Sequence, residues 1–298
     1  MISPAILLSL LAQQTTPPPA WSVGHTLIHD AGTYTEAPVF MDGDLYFVGA
    51  KVATVYSLAA DGTLTTVLDE FVGANGLAVA GDGVLLAAGT QGVATVRIGD
   101  DGTGTIESWV RGPSNGQSFV WPNDLLTDGE GGYWLTDSGS RTEDTGAVYH
   151  VDAEGTVLRV AQGLGFANGL IRSPDGGTLY VDQSTKNNIL AFPIQDDMSL
   201  GSARVLLTMP PEELYQAKHM PDGMCQAPDG TMLVAHNGTD RLRMFDPQGR
   251  ILASYATGLM ATSNCAIGPD GAVYVTGAYE FETKAGGITR LDLGFLPQ

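Results

Sequence analysis

The sequence contains little cysteine and little positive charge. Its 298 residues include only Cys225 and Cys265, too few for a disulfide framework. Lysine and arginine number 14 against 33 aspartates and glutamates, and the net charge is −19. Such a surface repels phosphate backbones, so we expect no nucleic-acid partner. Each cysteine lies within an apolar strand pattern, which favours buried free thiols; a single bridge between neighbouring parts of the fold is the alternative.

Long apolar runs and amphipathic helical patterns are also missing. The apolar run over residues 5–12 is too short to cross a bilayer as a helix. A proline-rich stretch follows it, and together they resemble a signal peptide and a flexible spacer over residues 1–20. We therefore expect an exported protein, periplasmic or secreted, with no membrane span. A cytoplasmic protein with a loose N-terminal tail is the alternative.

Glycine, in contrast, is abundant, and one unit recurs six times. In each copy a polar residue opens an apolar strand, a turn rich in Asp and Gly follows, and a second apolar strand closes the unit. The opening residues are Glu36, Asn75, Asn123, Asn168, Asp222 and Asn264, at spacings of 39, 48, 45, 54 and 42 residues. Such spacings are typical of four-stranded propeller blades. The sequence predicts an all-β fold, a single six-bladed β-propeller over residues 21–298, closed by strands at 22–29 and 287–291 that share the last blade.

The six opening residues are all carboxylates or carboxamides. The innermost strand of each blade lines the channel of a propeller, so equivalent positions converge on its axis. Burying this many oxygen atoms is costly unless a cation satisfies them, and calcium accepts such a mixture of ligands. No His or Cys opens a unit, which argues against zinc or copper. We predict one divalent metal on the axis, Ca²⁺ first, with Mg²⁺, Mn²⁺ and Zn²⁺ as alternatives. Any one of these residues alone would be an ordinary turn residue.

Several stretches match the motifs of a known family. Residues 221–235 read Pro-Asp-Gly-Met-Cys-Gln-Ala-Pro-Asp-Gly-Thr-Met-Leu-Val-Ala, and shorter matches lie at 36–38, 122–124, 167–170, 178–181 and 262–268. Together they resemble the gluconolactonase, regucalcin (senescence marker protein) and luciferin-regenerating enzyme family of calcium-dependent six-bladed propellers. The resemblance implies that Glu36, Asn168 and Asp222 are metal ligands. It also implies that Asn123 is a fourth ligand or contacts the substrate through water.

The same resemblance implies a hydrolase that opens a lactone. The metal would polarise the carbonyl, and Asp222 would activate water or attack the carbonyl itself. We expect the substrate to contact Asn75, Asn123, Trp121, His219 and Asn264. Trp121 stands where sugar-lactone members often carry arginine. An aromatic mouth formed by Phe119, Trp121, Tyr279 and Phe281 would suit a less polar lactone or ester.

Two other functions stay open at this point. The first is an aryl-ester or organophosphate hydrolase that uses the same metal with a different pocket. The second is a non-catalytic propeller whose metal braces the fold and whose rim binds a partner. In either hydrolase the partner is a small molecule, and we expect the protein to be a monomer.

Overall fold

A computed structural model of the chain describes residues 23–113, 115–211 and 219–295. The predicted signal peptide and spacer, residues 1–20, lie outside the described residues. Within the described ranges the strands are, in chain order, β1 (His25–Asp30), β2 (Thr35–Met41), β3 (Asp44–Gly49), β4 (Thr54–Leu58), β5 (Leu64–Leu68), β6 (Gly76–Gly81), β7 (Val84–Gly89), β8 (Gly92–Ile98), β9 (Gly104–Val110), β10 (Pro122–Thr127), β11 (Tyr133–Asp137), β12 (Gly146–Val151), β13 (Val157–Leu164), β14 (Ala167–Arg172), β15 (Thr178–Gln183), β16 (Asn188–Pro193), β17 (Arg204–Thr208), β18 (Met220–Gln226), β19 (Met232–Asn237), β20 (Arg241–Phe245), β21 (Ile251–Ala256), β22 (Ala261–Ile267), β23 (Val273–Ala278) and β24 (Gly286–Leu291).

These strands form six four-stranded antiparallel sheets, which are the blades of a propeller. Five blades are built from consecutive strands, with β2, β6, β10, β14 and β18 innermost. The sixth has the order β22-β23-β24-β1, so the first described strand completes the last blade. The six-bladed fold and this closure confirm the sequence prediction. Closure ties both ends of the described chain into one sheet.

Apolar side chains on both faces of the blades hold the ring together. Six clusters of buried apolar residues occur, each at the junction of two neighbouring blades. The cluster between the third and fourth blades, for example, packs Trp134 and Val148 against Leu170 and Leu179. A strand packed on both faces loses the polar–apolar alternation of a half-exposed strand. This is why the strands of the sequence look like short apolar runs.

The two cysteines join the fifth and sixth blades. Cys225 in β18 and Cys265 in β22 form a disulfide, with their Cα atoms 5.5 Å apart. The preference for buried free thiols was therefore wrong, and the alternative of one bridge between neighbouring parts of the fold holds. Both residues belong to innermost strands, which run side by side around the channel and bring the two sulfur atoms together.

The described residues contain little helix. A single 3₁₀ turn, Ser184–Lys186, follows β15 within the described ranges. No helix among these residues is long and apolar enough to cross a membrane.

The central channel has two ends. We call the end at which the innermost strands begin the mouth. The links between the second and third strands of each blade lie at the same end. In the third blade, for example, Pro122 at the start of β10 pairs with Asp137 at the end of β11. The far end is the one toward which the innermost strands run. It holds a cavity of about 560 Å³ whose lining includes Val39, Leu77, Ile171, Met224 and the disulfide.

Candidate active site

A bulge at the start of the innermost strands directs polar side chains into the channel. The β2–β3 ladder shifts register just after Glu36, and equivalent shifts fall at Asn123, Asn168 and Asp222. A β-bulge bends its strand and re-aims the side chain at that position. In the second blade the register shift lies instead at the end of β6, and Asn75 precedes the strand. Asn75 is only half-buried, whereas the other five opening residues are buried.

Glu36, Asn168 and Asp222 lie at the mouth side of the channel, where Glu36 interacts with the Tyr34 hydroxyl and with the charge of Asp222. Asn168 Nδ2 donates a hydrogen bond to Asp222 Oδ1 at 2.6 Å. The other carboxylate oxygen, Oδ2, accepts from Asn237 Nδ2 at 2.8 Å and from the Tyr34 hydroxyl at 3.4 Å. Asn237 also donates to the Tyr34 oxygen at 3.1 Å. Three innermost strands and two neighbouring segments therefore deliver five oxygen-bearing side chains to one place.

Two acidic groups in this small volume perturb one another. Burial raises the pKa of Glu36 well above its usual range, and the charge of Asp222 raises it further. Burial also raises the pKa of Asp222 to about 6. Hydrogen bonds from Asn237 and Asn168, together with the charge of Arg141, keep it from rising higher. Burial therefore favours the neutral acid at Asp222, and its hydrogen bonds favour the carboxylate.

Asn123 and Asn168 are each fixed by a serine from the same blade. Asn123 Nδ2 donates to Ser138 Oγ at 2.8 Å, and that hydroxyl donates to the carbonyl just before Asn168 at 2.7 Å. Asn168 Nδ2 contacts Ser184 Oγ at 3.2 Å, and Ser184 donates to the carbonyl just before Asp222 at 2.9 Å. The serines therefore tie the opening residue of one blade to the innermost strand of the next. No hydrogen bond between described residues ends on the amide oxygen of either asparagine.

Asn264 lies nearer the far end of the channel than the other buried opening residues. Its Oδ1 accepts the backbone N–H of Cys265 at 2.8 Å, and its side chain reaches the carboxylate of Asp124. Asn264 and Asp124 both line the far-end cavity. Gly223 gives Asn264 its space, because a Cβ atom at residue 223 would collide with the amide carbon. Among the described residues, neither Asn264 nor Asn75 forms a hydrogen bond to the Asp222 carboxylate.

The other predicted mouth residues have different surroundings. Trp121 is 43% exposed beside the start of β10, as a substrate contact requires. His219 is half-buried, lies edge-on to His236 with ring centres 5.2 Å apart, and reaches Asn187 through Nδ1. Phe119 was wrongly expected at the mouth, because it is buried and packs edge-on against Tyr149.

The remaining aromatic residues expected at the mouth make contacts outside this site. Tyr279 donates its hydroxyl hydrogen to Asp30 at 2.7 Å, and Phe281 lies under the ammonium group of Lys284.

Sequence reasoning missed Tyr34, Asn237 and Arg141. Asn237 directly follows the β19 residue that pairs with Pro221. Ser138 holds the equivalent position in the third blade, because it directly follows the β11 residue that pairs with Pro122. The repeat therefore held a usable signal for Asn237. Tyr34 and Arg141 lie outside the strands, in segments where the repeats do not align.

The donor set of the site is oxygen alone. Within the described residues no group of three His, Cys, Asp or Glu side chains is arranged to hold a metal ion. The site instead offers two carboxylates, Glu36 and Asp222, with the amides of Asn123 and Asn168 beside them. Hard cations such as Ca²⁺ and Mg²⁺ take such donors, whereas Zn²⁺ prefers nitrogen and sulfur. Two buried acids that repel one another are also the kind of site that a cation compensates.

The sequence matches a family of known proteins over most of its length. Residues 34–279 match the family described as SMP-30/Gluconolactonase/LRE-like region. A curated relative, Lactonase drp35 of Staphylococcus epidermidis, is 30% identical over 129 residues, which are 43% of this chain. The match spans 39% of the length of that relative. Lactonase drp35 of Staphylococcus aureus has the same identity and coverage.

Solved structures share the fold. A luciferin-regenerating enzyme is 21% identical with a TM-score of 0.73, covering 93% of this chain and 97% of its own. A gluconolactonase from Xanthomonas campestris is 24% identical with a TM-score of 0.74, covering 90% and 89%. The calcium-binding protein regucalcin from Agrobacterium tumefaciens is 22% identical with a TM-score of 0.75, covering 92% and 94%. At these identities the likeness shows the propeller fold.

Proposed function

The chain belongs to the SMP-30/gluconolactonase/LRE-like family, and on that premise we propose that it is a metal-dependent hydrolase that opens a lactone. The observation that carries the proposal is the meeting of Glu36, Asn168 and Asp222 at the mouth side of the channel. Lactonase and gluconolactonase are the names of a curated relative and a structural neighbour, and they support the same reaction class.

Glu36, Asn168, Asp222 and Asn123 would hold the divalent cation, with Ca²⁺ as the first choice. The two carboxylates would balance its charge, and the amide oxygens would add neutral ligands. The structural neighbour described as a calcium-binding protein supports this choice. When bound, the cation supplies Lewis-acid polarisation of the substrate carbonyl.

Asp222 moves the proton in this proposal. Its carboxylate takes a proton from the attacking water as the water oxygen bonds to the lactone carbonyl carbon. When the ring C–O bond breaks, Asp222 returns the proton to the departing alkoxide, so the products are a hydroxy acid and the unchanged enzyme. Asn237 and the Tyr34 hydroxyl orient the carboxylate through Oδ2. The amide of Asn168 fixes the other oxygen.

Lactone hydrolysis with and without a chelator tests the proposal, with metal content measured on the same samples. A panel of aliphatic lactones, an aryl ester and an organophosphate triester separates the reaction classes. We expect lactone opening that falls to background on chelation and returns on adding Ca²⁺. Hydrolysis of the aryl ester or the triester alone would contradict the lactone assignment. Stoichiometric metal without turnover of any compound would favour the non-catalytic propeller, in which the metal only braces the fold.

A further inference from the structure

The mouth of the channel carries an arginine, Arg141, that forms no ion pair with any residue that the structure describes. Arg141 is exposed in the link between β11 and β12, and no ion pair or hydrogen bond among the described residues engages its guanidinium group. The nearby Lys186, in contrast, pairs with Asp144 at 2.8 Å. An unpaired cation at the mouth is notable in a chain with 14 basic and 33 acidic residues.

Two aromatic rings hold this arginine in place. The guanidinium carbon lies 4.1 Å from the ring centre of Phe166 and 5.4 Å from that of Trp121. The two rings pack edge to face with centres 5.7 Å apart. A guanidinium group over an aromatic face keeps its N–H edges free, and those edges match the two oxygens of a carboxylate.

Hydrogen bonds hold the backbone that carries this cluster. The backbone N–H of Trp121 donates to the Asp137 carboxylate at 2.7 Å, and the carbonyl of Phe166 accepts from the N–H of Ser184 at 3.1 Å. In the link that carries Arg141, the N–H of Ser140 donates to Thr145 Oγ1 at 2.8 Å. A group held in its binding position before the ligand arrives loses little entropy on binding.

The cluster lies next to the reacting groups. Trp121 is two residues before Asn123, and Phe166 is two residues before Asn168. The guanidinium group of Arg141 lies over both rings, and Asn168 donates to Asp222 Oδ1 at 2.6 Å. A substrate whose carbonyl lies at Asp222 can therefore reach Arg141 with a substituent.

We propose that Arg141 selects lactones that carry a carboxylate substituent, which it binds through its guanidinium edge while Trp121 packs against the lactone ring. This inference rests on the proposed lactone hydrolysis. The free N–H edge, the stacked position over Trp121 and Phe166, and the place of these rings two residues before Asn123 and Asn168 support it. The carboxylate-bearing ring is an acid–lactone, which forms when the hydroxyl group of a hydroxy diacid esterifies one of its own carboxyl groups with loss of water.

Two nearly isosteric compounds test the proposal: 5-oxotetrahydrofuran-2-carboxylate and its neutral carboxamide. We expect the wild-type protein to favour the carboxylate in kcat/KM, and Arg141→Gln to reduce that preference about 10- to 30-fold, as for loss of a charge-assisted hydrogen bond. Arg141→Lys should retain part of the preference, because it keeps the charge without the planar fork. Arg111→Gln is the matched control, because Arg111 also stacks on a tryptophan, 4.8 Å from the ring centre of Trp109.

The outcomes separate this inference from the proposed function. Turnover of both compounds with no preference in the wild type, or an equal loss on both in Arg141→Gln, overturns the role of Arg141 and leaves the lactonase in place. Turnover of neither compound by a protein that opens the aliphatic lactones overturns the role of Arg141, whereas no turnover of any lactone contradicts the proposed function. In that case calorimetric binding of the same two compounds still decides: tighter binding of the carboxylate that Arg141→Gln abolishes supports the inference, and equal binding overturns it.

Discussion

The two sides of the channel hold the same kind of group in different surroundings. On the mouth side, Asp222 is bound by the side chains of Asn168, Asn237 and Tyr34. Toward the far end, Asp124 accepts the backbone N–H of Leu125 at 2.9 Å and that of Leu170, with Asn264 as its one side-chain donor, and burial raises its pKa to about 7. Side-chain donors can rearrange around a ligand, whereas backbone donors are fixed by the sheet. The difference indicates that Asp222 can exchange its hydrogen bonds for contacts with a ligand, whereas Asp124 stabilises the fold.

The largest expected difference between the two sides is the effect on kcat of replacing each acid with its amide. Asp222→Asn removes the proton acceptor while keeping the size of the side chain, so we expect kcat for lactone hydrolysis to fall by about 10³-fold or more. Asp124→Asn should cost at most about 10-fold, because its carboxyl serves the fold and does not act on the substrate. Steady-state kinetics with circular dichroism as a check of folding measure both. Similar losses in the two variants would refute the division between the two sides.

Asn237→Ala removes a donor to the mouth-side acid without touching the acid itself. We expect a fall in kcat of about 10- to 100-fold, because Asp222 loses its hydrogen bond at 2.8 Å. That bond lowers the pKa of Asp222, so the acid limb of the pH–rate profile should move to higher pH. The exposed Asn115→Ala is the control. A lower rate with an unmoved profile would mean that Asn237 does not act through Asp222.

Removing the disulfide probes the far end. The bridge closes a loop with a sequence separation of 40 residues, so the double variant Cys225→Ala/Cys265→Ala should lose about 3–4 kcal/mol of unfolding free energy. Activity should change by less than about 3-fold, because the sulfur atoms line the far-end cavity. Denaturant unfolding and steady-state kinetics report the two quantities. A large loss of activity with little loss of stability would show that the far end takes part in catalysis.

The smallest expected effect is in the pH dependence of stability without metal. The folded pKa values of Asp222, about 6, and Asp124, about 7, lie above their unfolded values. These groups therefore make their full contribution to the free energy of unfolding below the unfolded pKa. That contribution is lost as the pH rises through 6 and 7. We expect chelation to lower the Tm more at pH 8 than at pH 5, because the uncompensated charges repel one another.

Asp124→Asn supplies the control for this pH effect. It removes the group that titrates near pH 7, so the metal-free variant should lose less stability between pH 5 and pH 8 than the wild type does. A chelation effect that is larger at pH 5 than at pH 8 would contradict the assigned direction.

The repeats predicted the fold and the residues that meet in the channel, because both follow from equivalent positions in equivalent blades. Glu36, Asn168 and Asp222 could be named from spacing and family motifs alone. Asn75 fits the same pattern but lacks a bulge beside it, and register shifts are not visible in the sequence. The disulfide was unexpected because the distance between two innermost strands depends on how neighbouring blades pack. Arg141 and Tyr34 were missed because loop side chains reach the site through tertiary contacts that follow no repeat.

The most direct test of the central claim is to locate the metal. Crystals grown with Mn²⁺ in place of Ca²⁺ give an anomalous signal at each bound ion. We predict a peak bordered by Glu36, Asn168 and Asp222 that disappears in Glu36→Gln/Asp222→Asn. A peak at Asp124 alone, or no peak in the channel of crystals whose protein hydrolyses lactones with added Mn²⁺, would contradict it.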